Sequence, residues 1–213
     1  MKDFRNILFV AHGQADQTNA LKQALSLSRN NEAPLTALIV IPALPDSLGD
    51  SKKIFSDALV DKLKSSIEEL RKELKIGESV VDIRIRTEES DTPDISIIRY
   101  VLRNENDLVI KEAQPIERGK GFKAVDMQLL RKCPCPVWLS RPIINSRAKM
   151  NVAVAIDPMD KEGPGRSLAL GLLQTARSLA DQCSGTLEVT SCWYYEYEES
   201  VRDNPWFSTA TQS

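Results

Sequence analysis

Cysteine is scarce in this chain. Four residues in 213, Cys133, Cys135, Cys183 and Cys192, are too few for a disulfide scaffold at this length. No apolar run approaches the roughly 18 residues needed to cross a bilayer. The opening Met1-Lys2-Asp3-Phe4-Arg5 leads straight into a short apolar segment and lacks the order of a signal peptide. A cytoplasmic protein with no membrane segment is expected. Basic charge is not in excess: the net charge is −2 and the pI about 5.6, which argues against a non-specific nucleic-acid binder. Histidine occurs once, at His12, with no Ser, Cys or Asp placed beside it by sequence. A nucleophile, a base and an orienting group cannot be assembled, so no ordinary enzyme is expected.

What is present is an ordinary globular composition, 42% hydrophobic and 27% charged. Ile7 to Ala11 is a short continuous apolar run, which suits a strand buried on both faces. Leu21, Ala24, Leu25 and Leu27 then recur at helical spacing, and Leu35 to Ile41 forms a second apolar strand. After a loop over residues 46–53, a long amphipathic helix carries Ile54, Phe55, Leu59, Leu63, Ile67, Leu70 and Leu74, with Gly77 as its C-cap. Val81, Ile83 and Ile85 alternate with charged residues and predict an edge strand. Ile95, Ile98, Tyr100, Val101 and Leu102 suit a helix capped at Asp91 or Thr92. Leu108-Val109-Ile110 is a buried strand, and residues 113–121 are a loop. Ala124 to Lys132 is a helix with Val125, Leu129 and Leu130 inward, and Val137-Trp138-Leu139 is the fifth strand.

Strands and helices therefore alternate through a five-stranded, parallel, doubly wound α/β domain over residues 1–142. Ligands of such sheets bind outside the C-terminal strand ends, where strand order reverses. The loops after Ala11, Ile41 and Ile110 are the places to look. Beyond a linker at residues 143–148 the pattern restarts. Met150 to Ile156 reads as a strand, Leu168 to Ala180 as a helix and Thr186 to Trp193 as a strand. Asp157 lies 145 residues after His12, and Leu187 lies 152 after Leu35. A period of that size signals a duplicated domain. The second copy, residues 149–195, holds the first βαβ only, and two strands cannot bury a sheet face well. Residues 196–213 form a tail. The aromatic run Trp193, Tyr194, Tyr195 and Tyr197 is either core or an interface.

Several segments together resemble the universal stress proteins. Phe4 to Ala11 looks like their opening strand, Asn106 to Ile110 their fourth strand, and Leu129 to Trp138, with its Cys135-Pro136-Val137 triplet, their closing helix and fifth strand. With the duplication, the chain is most similar to the tandem E-type of bacteria. The resemblance implies an adenine nucleotide alpha hydrolase-like fold, a stress-response role without enzymatic activity, and a homodimer or pseudo-dimer with the second domain through the fifth strand. ATP binders of the family have an Asp ending the first strand and a Gly-x-x-Gly loop followed, after about nine residues, by Gly-Ser or Gly-Thr. Glycines let backbone N–H groups close on phosphate oxygens.

The first domain departs at each point. His12 replaces the Asp, Glu112 and Pro115 stand where the first two glycines would be, and Lys123-Ala124 stands for Gly-Ser. A glutamate repels phosphate and proline has no N–H. Only Val40 matches a position that lines the nucleotide pocket. No cofactor is expected in this chain, and the usual mode of ATP binding is not expected in the first domain. The second copy keeps Asp157 as an adenine-side contact by resemblance, but its glycine loop would lie beyond Ser213. Two alternatives are an adenine-nucleotide switch sited in a complete second domain and a binder of an apolar or lipid-like ligand.

Among single residues, His12 reads as a polar residue closing the first strand, with ligand contact as the alternative. Cys133 and Cys135 read as a helix end and a strand start. A metal site wants a second ligand pair, and the usual redox motif has two intervening residues. Lys111, Lys120 and Lys123, with Arg118, form a basic cluster near the altered loop. It reads either as a solvated loop or as an anion site without a glycine cradle.

Overall fold

The computed structural model describes residues 4–11, 18–45, 47, 49–77, 80–114, 123–141, 151–157, 162–182 and 185–191. The chain divides into two compact units, Met1–Ile144 and Asn145–Ser213. The first holds β1 (Ile7–Ala11), α1 (Thr18–Asn31), β2 (Leu35–Ile41), α2 (Asp50–Glu73), β3 (Ile83–Glu89), α3 (Pro93–Asn104), β4 (Leu108–Glu112), α4 (Ala124–Lys132) and β5 (Val137–Ser140). Its five strands are parallel in the order β3-β2-β1-β4-β5. The order reverses between β1 and β4, which is where a doubly wound sheet opens for a ligand.

The two-residue period of the strands sorts the core into two layers. Ile7, Phe9, Leu35, Ala37, Ile39, Leu108 and Ile110 face one side and pack with Leu21 and Leu25 of α1 and Leu63, Ile67 and Leu70 of α2. Leu8, Val10, Leu38 and Val109 face the other and meet Ile97, Tyr100 and Val101 of α3 and Leu129 of α4. Every residue of β1 is buried, as the continuous apolar run requires. β3 lies at the edge with an alternating, largely exposed pattern, as its charged face predicts.

The helices differ from the sequence reading in detail. α2 begins at Asp50, inside the predicted loop, and at 24 residues is about 36 Å long. The seven-residue strands beneath it span only about 23 Å. The helix outruns the sheet, so Ile54 and Phe55 in its first turns are exposed rather than inward. Gly77 is not its C-cap. The chain leaves the helix at Lys75, which takes a left-handed φ of 53°. Ile76 N–H then donates to Arg71 O (2.9 Å) and Lys75 N–H to Lys72 O (3.2 Å). This is the Schellman pattern, and burial of Ile76 just past the turn selects it. On α3 the inward stripe is Ile97, Tyr100 and Val101, leaving Ile95 and Leu102 exposed. On α4, Leu130 faces out.

β4 is tied to the start of β1 by a carboxylate. Asp107 accepts the N–H groups of Arg5 (2.6 Å) and Asn6 (3.0 Å), and Asp107 N–H donates to Asn6 O (3.0 Å). Asn106 Nδ2 adds a bond to Asn6 Oδ1 at 2.9 Å.

The second unit has two parallel strands, β6 (Asn151–Ile156) and β7 (Thr186–Ser191), joined by α5 (Gly163–Gln182). Val152 pairs with Leu187 as Ile7 pairs with Leu35. The two βαβ units thus share a register as well as a pattern. Val154, Ala176 and Ala180 are buried, while all six residues of β7 are exposed. Two strands and one helix bury no more than this.

Hydrogen bonds to a charged group are each worth about 1.5–3 kcal/mol. Asp107→Ala removes two of them, one at an exposed site where water competes, and is expected to lower unfolding stability by about 2–4 kcal/mol, read as a lower urea midpoint at unchanged m-value. A change under 0.5 kcal/mol would mean that this clasp does not hold β1 to β4.

Candidate functional site at the strand-order reversal

The period-two rule decides what the end of β4 can do. Leu108, Ile110 and Glu112 point toward α1 and α2, while Val109 and Lys111 point toward α3 and α4. β4 is an inner strand, paired with β1 at Val10↔Lys111 and with β5 at Lys111↔Leu139. Lys111 is therefore enclosed, with none of its side chain exposed. A buried ammonium needs an anion. Asp126 in the first turn of α4 supplies it, with Lys111 Nζ 2.5 Å from Asp126 Oδ1 and both side chains fully buried. Lys111 Nζ also donates to Glu112 O at 3.1 Å. Burial pushes the lysine's pKa down, and the Asp126 carboxylate pulls it back.

The second oxygen of Asp126 accepts the N–H of Gln114 at 2.7 Å. Lys123 N–H donates to Gln114 O at 2.8 Å, so the segment between Gln114 and Lys123 is closed at its base. A carboxylate in the first turn of a helix also complements the helix dipole. Ammonium, loop N–H and helix N-terminus, three groups that attract an anion, thus share one internal carboxylate.

On the opposite face, Glu112 takes the other helix. Its Oε2 accepts the N–H of Ala20, in the first turn of α1, at 3.3 Å. This is one of the donors a helix start leaves without an internal partner. Partial burial raises the Glu112 pKa, while the Ala20 N–H and the Lys111 ammonium act the other way. Ser140, which follows in register at the end of β5, is buried, and its Oγ has no partner among the described residues.

The predicted residues fall as follows. Lys111 is interior and paired, so its ammonium does not face solvent as a cluster lysine would. Lys123 is the N-cap residue of α4 and is exposed. Lys120, Arg118, His12 and Pro115 lie outside the described residues, as do Cys183, Cys192 and the aromatic run. Val40 is half-buried on β2 and packs with the layer under α3 and α4. Asp157 is exposed directly after β6. Among the described residues, no group of three or more metal-ligating side chains comes together, and no helix is long and apolar enough to cross a membrane. Asp126 was missed by the sequence reading. The signal was a lysine ending an otherwise apolar inner strand, which demands a partner from the next helix on its face.

The topology and these contacts define a class: a doubly wound parallel α/β protein with two bonded carboxylates at its switch point. A family model described as the universal stress protein family matches residues 3–141, and the chain belongs to that family. It is 26% identical over 200 residues to Universal stress protein E of Photorhabdus laumondii, covering 89% of this chain and 62% of that one. It is 28% identical over 147 residues to Universal stress protein E of Escherichia coli K12, covering 65% of this chain and 46% of that one. The chain thus spans about half to three-fifths of the length of these curated relatives. A solved structure of a candidate universal stress protein from Pseudomonas aeruginosa UCBPP-PA14 matches in fold with a TM-score of 0.67 at 22% identity, over 94% of this chain and 66% of that one. A functionally unknown protein from Pseudomonas aeruginosa PAO1 matches with 0.65 at 23%, over 89% and 61%.

Removing one member of a buried ion pair strands the other, at a cost of about 3–5 kcal/mol. Lys111→Met and Asp126→Leu are each expected to show that loss by urea denaturation, and the double substitution less than their sum. Glu112 gives a pH test. Its raised folded pKa means that the folded state holds the proton more tightly than the unfolded chain. Its contribution is complete below the ordinary glutamate value of 4.5 and is lost as pH rises through the folded pKa. Glu112→Gln should flatten that decline in Tm across mildly acidic pH, and an unchanged profile would remove Glu112 from it.

Proposed function

We propose that this chain is a non-enzymatic universal stress protein whose first domain does not bind ATP in the family's usual mode. Family membership supports a role in stress response. The observation that carries the finer reading is the double occupation of the switch point. Asp126 takes the ammonium of Lys111 and the N–H of Gln114, and Glu112 takes the first-turn N–H of Ala20. A triphosphate entering there meets two carboxylates and finds those donors engaged. The residues standing for the loop glycines, Glu112, Pro115 and Lys123, agree with this. The chain is read as cytoplasmic, binding neither nucleic acid nor membrane, and as pairing in a homodimer or pseudo-dimer along the β5 edge.

A second reading rests on Asp157. It follows β6 at the place where family ATP binders have their aspartate, and the curated relatives are longer than this chain. A chain extended to their length and carrying a complete second domain would hold the nucleotide there, with this first domain as its scaffold.

Calorimetric titration with Mg-ATP, ADP and AMP, at a known oligomeric state, tests the first reading. No heat and no thermal shift are expected. Binding at micromolar Kd, about −8 kcal/mol, would overturn it and make Lys120 and Lys123 the next residues to substitute.

A further inference from the structure

Residues 133–136 join α4 to β5, and both ends of the segment are tied down. Cys133 N–H donates to Leu129 O at 2.9 Å as the C-cap of α4, and Val109 N–H donates to Pro136 O at 3.0 Å where β5 meets β4. Pro134 and Pro136 restrict the backbone on either side of Cys135. This segment holds Cys133 Sγ and Cys135 Sγ 3.7 Å apart, both half-buried and both free thiols. Residues two apart in a chain have Cα atoms at most about 7 Å apart, close to the span a disulfide bridges. The sulfurs lie less than about 2 Å beyond bonding distance. They are also unequal. The hydrogen bond from Cys135 lowers the Cys133 pKa to about 7, and the same contact pushes the Cys135 thiol up.

We propose that Cys133 and Cys135 are a redox-active dithiol, in which Cys133 reacts with a hydroperoxide and Cys135 resolves the product. The Cys133 thiolate attacks the terminal oxygen of the hydroperoxide. The O–O bond breaks, the alcohol leaves with a proton, and Cys133 becomes a sulfenic acid. The Cys135 sulfur attacks that sulfenic sulfur. The S–O bond breaks, and water leaves with the Cys135 proton. Two thiols and one hydroperoxide thus give one disulfide, one alcohol and one water. Two equivalents of a small thiol reverse the oxidation by exchange and are released as their own disulfide. A ring closed over a single intervening residue is strained, and strained disulfides are the easily reduced kind found in regulation and catalysis.

The test uses the whole chain, reduced and then treated with equimolar hydrogen peroxide. It is alkylated with iodoacetamide, cleaved with trypsin and weighed. Cleavage after Lys132 gives a peptide holding Cys133 and Cys135 without Cys183 or Cys192. That peptide is expected to lose two hydrogens, escape alkylation and recover both thiols under a small thiol reductant. In Cys135→Ser, Cys133 should accumulate as a sulfenic acid that dimedone traps. In the untreated chain, Cys133 should be alkylated about tenfold faster than Cys135 at neutral pH. Full alkylation of both cysteines after peroxide would overturn the proposal. So would sulfinic acid at Cys133 in the unsubstituted chain, a bridge to Cys183 or Cys192, or equal alkylation rates. The unsubstituted chain alone decides all four of these, whether or not the variant folds.

Discussion

The ion pair between Lys111 and Asp126 is the contact on which the functional end of the first domain depends. An ammonium on an inner strand of a parallel sheet has no route to water, so it is neutralised in place or the strand end does not form. Asp126 reaches it only if α4 starts where it does. With α4 anchored there, its first turn lies against β4, and the same carboxylate closes the base of the loop through Gln114. Helix position, loop closure and local charge all follow from one requirement.

That requirement also sets the charge and the hydrogen bonding at the switch point. Phosphate sites of such folds combine a helix N-terminus, free backbone N–H groups and nearby cations. At the end of β4 the Lys111 ammonium, the Gln114 N–H and the first-turn N–H of Ala20 are bonded to Asp126 and Glu112. The alternation of β4 sends Lys111 to α4, whose Asp126 binds it, and Glu112 to α1, whose first-turn N–H it accepts. Glycines at these places would leave the donors open. Charged side chains close them from within.

The second unit repeats the opening βαβ in pattern and in strand register, yet leaves β7 exposed along its whole length. A parallel two-stranded sheet with a single helix has one side to bury and little to bury it against.

Much of this protein was legible in the order of its residues. Short apolar runs separated by helical periodicity imposed a parallel, doubly wound sheet. The charged face of Ile83 and Ile85 placed that strand at the edge, and the spacing of the second βαβ announced a duplication. These features are local, and period and polarity suffice to read them. What the sequence left open was decided by packing. Ile76 rather than Gly77 selected the end of α2, because burying an isoleucine outweighed the ease of a glycine turn. Ile54 and Phe55 were left in solvent because the helix is longer than the sheet. Lys111, grouped by sequence with Lys120 and Lys123 as a surface cation, lies inside because β4 runs two residues past its apolar core. Asp126, 15 residues away, becomes its partner only when α4 folds back over that strand. The closeness of two sulfurs at the α4–β5 junction is likewise a product of hydrogen bonds at both ends of the segment. Periodicity is a property of neighbours in the chain, whereas these contacts join residues that only the folded sheet brings together.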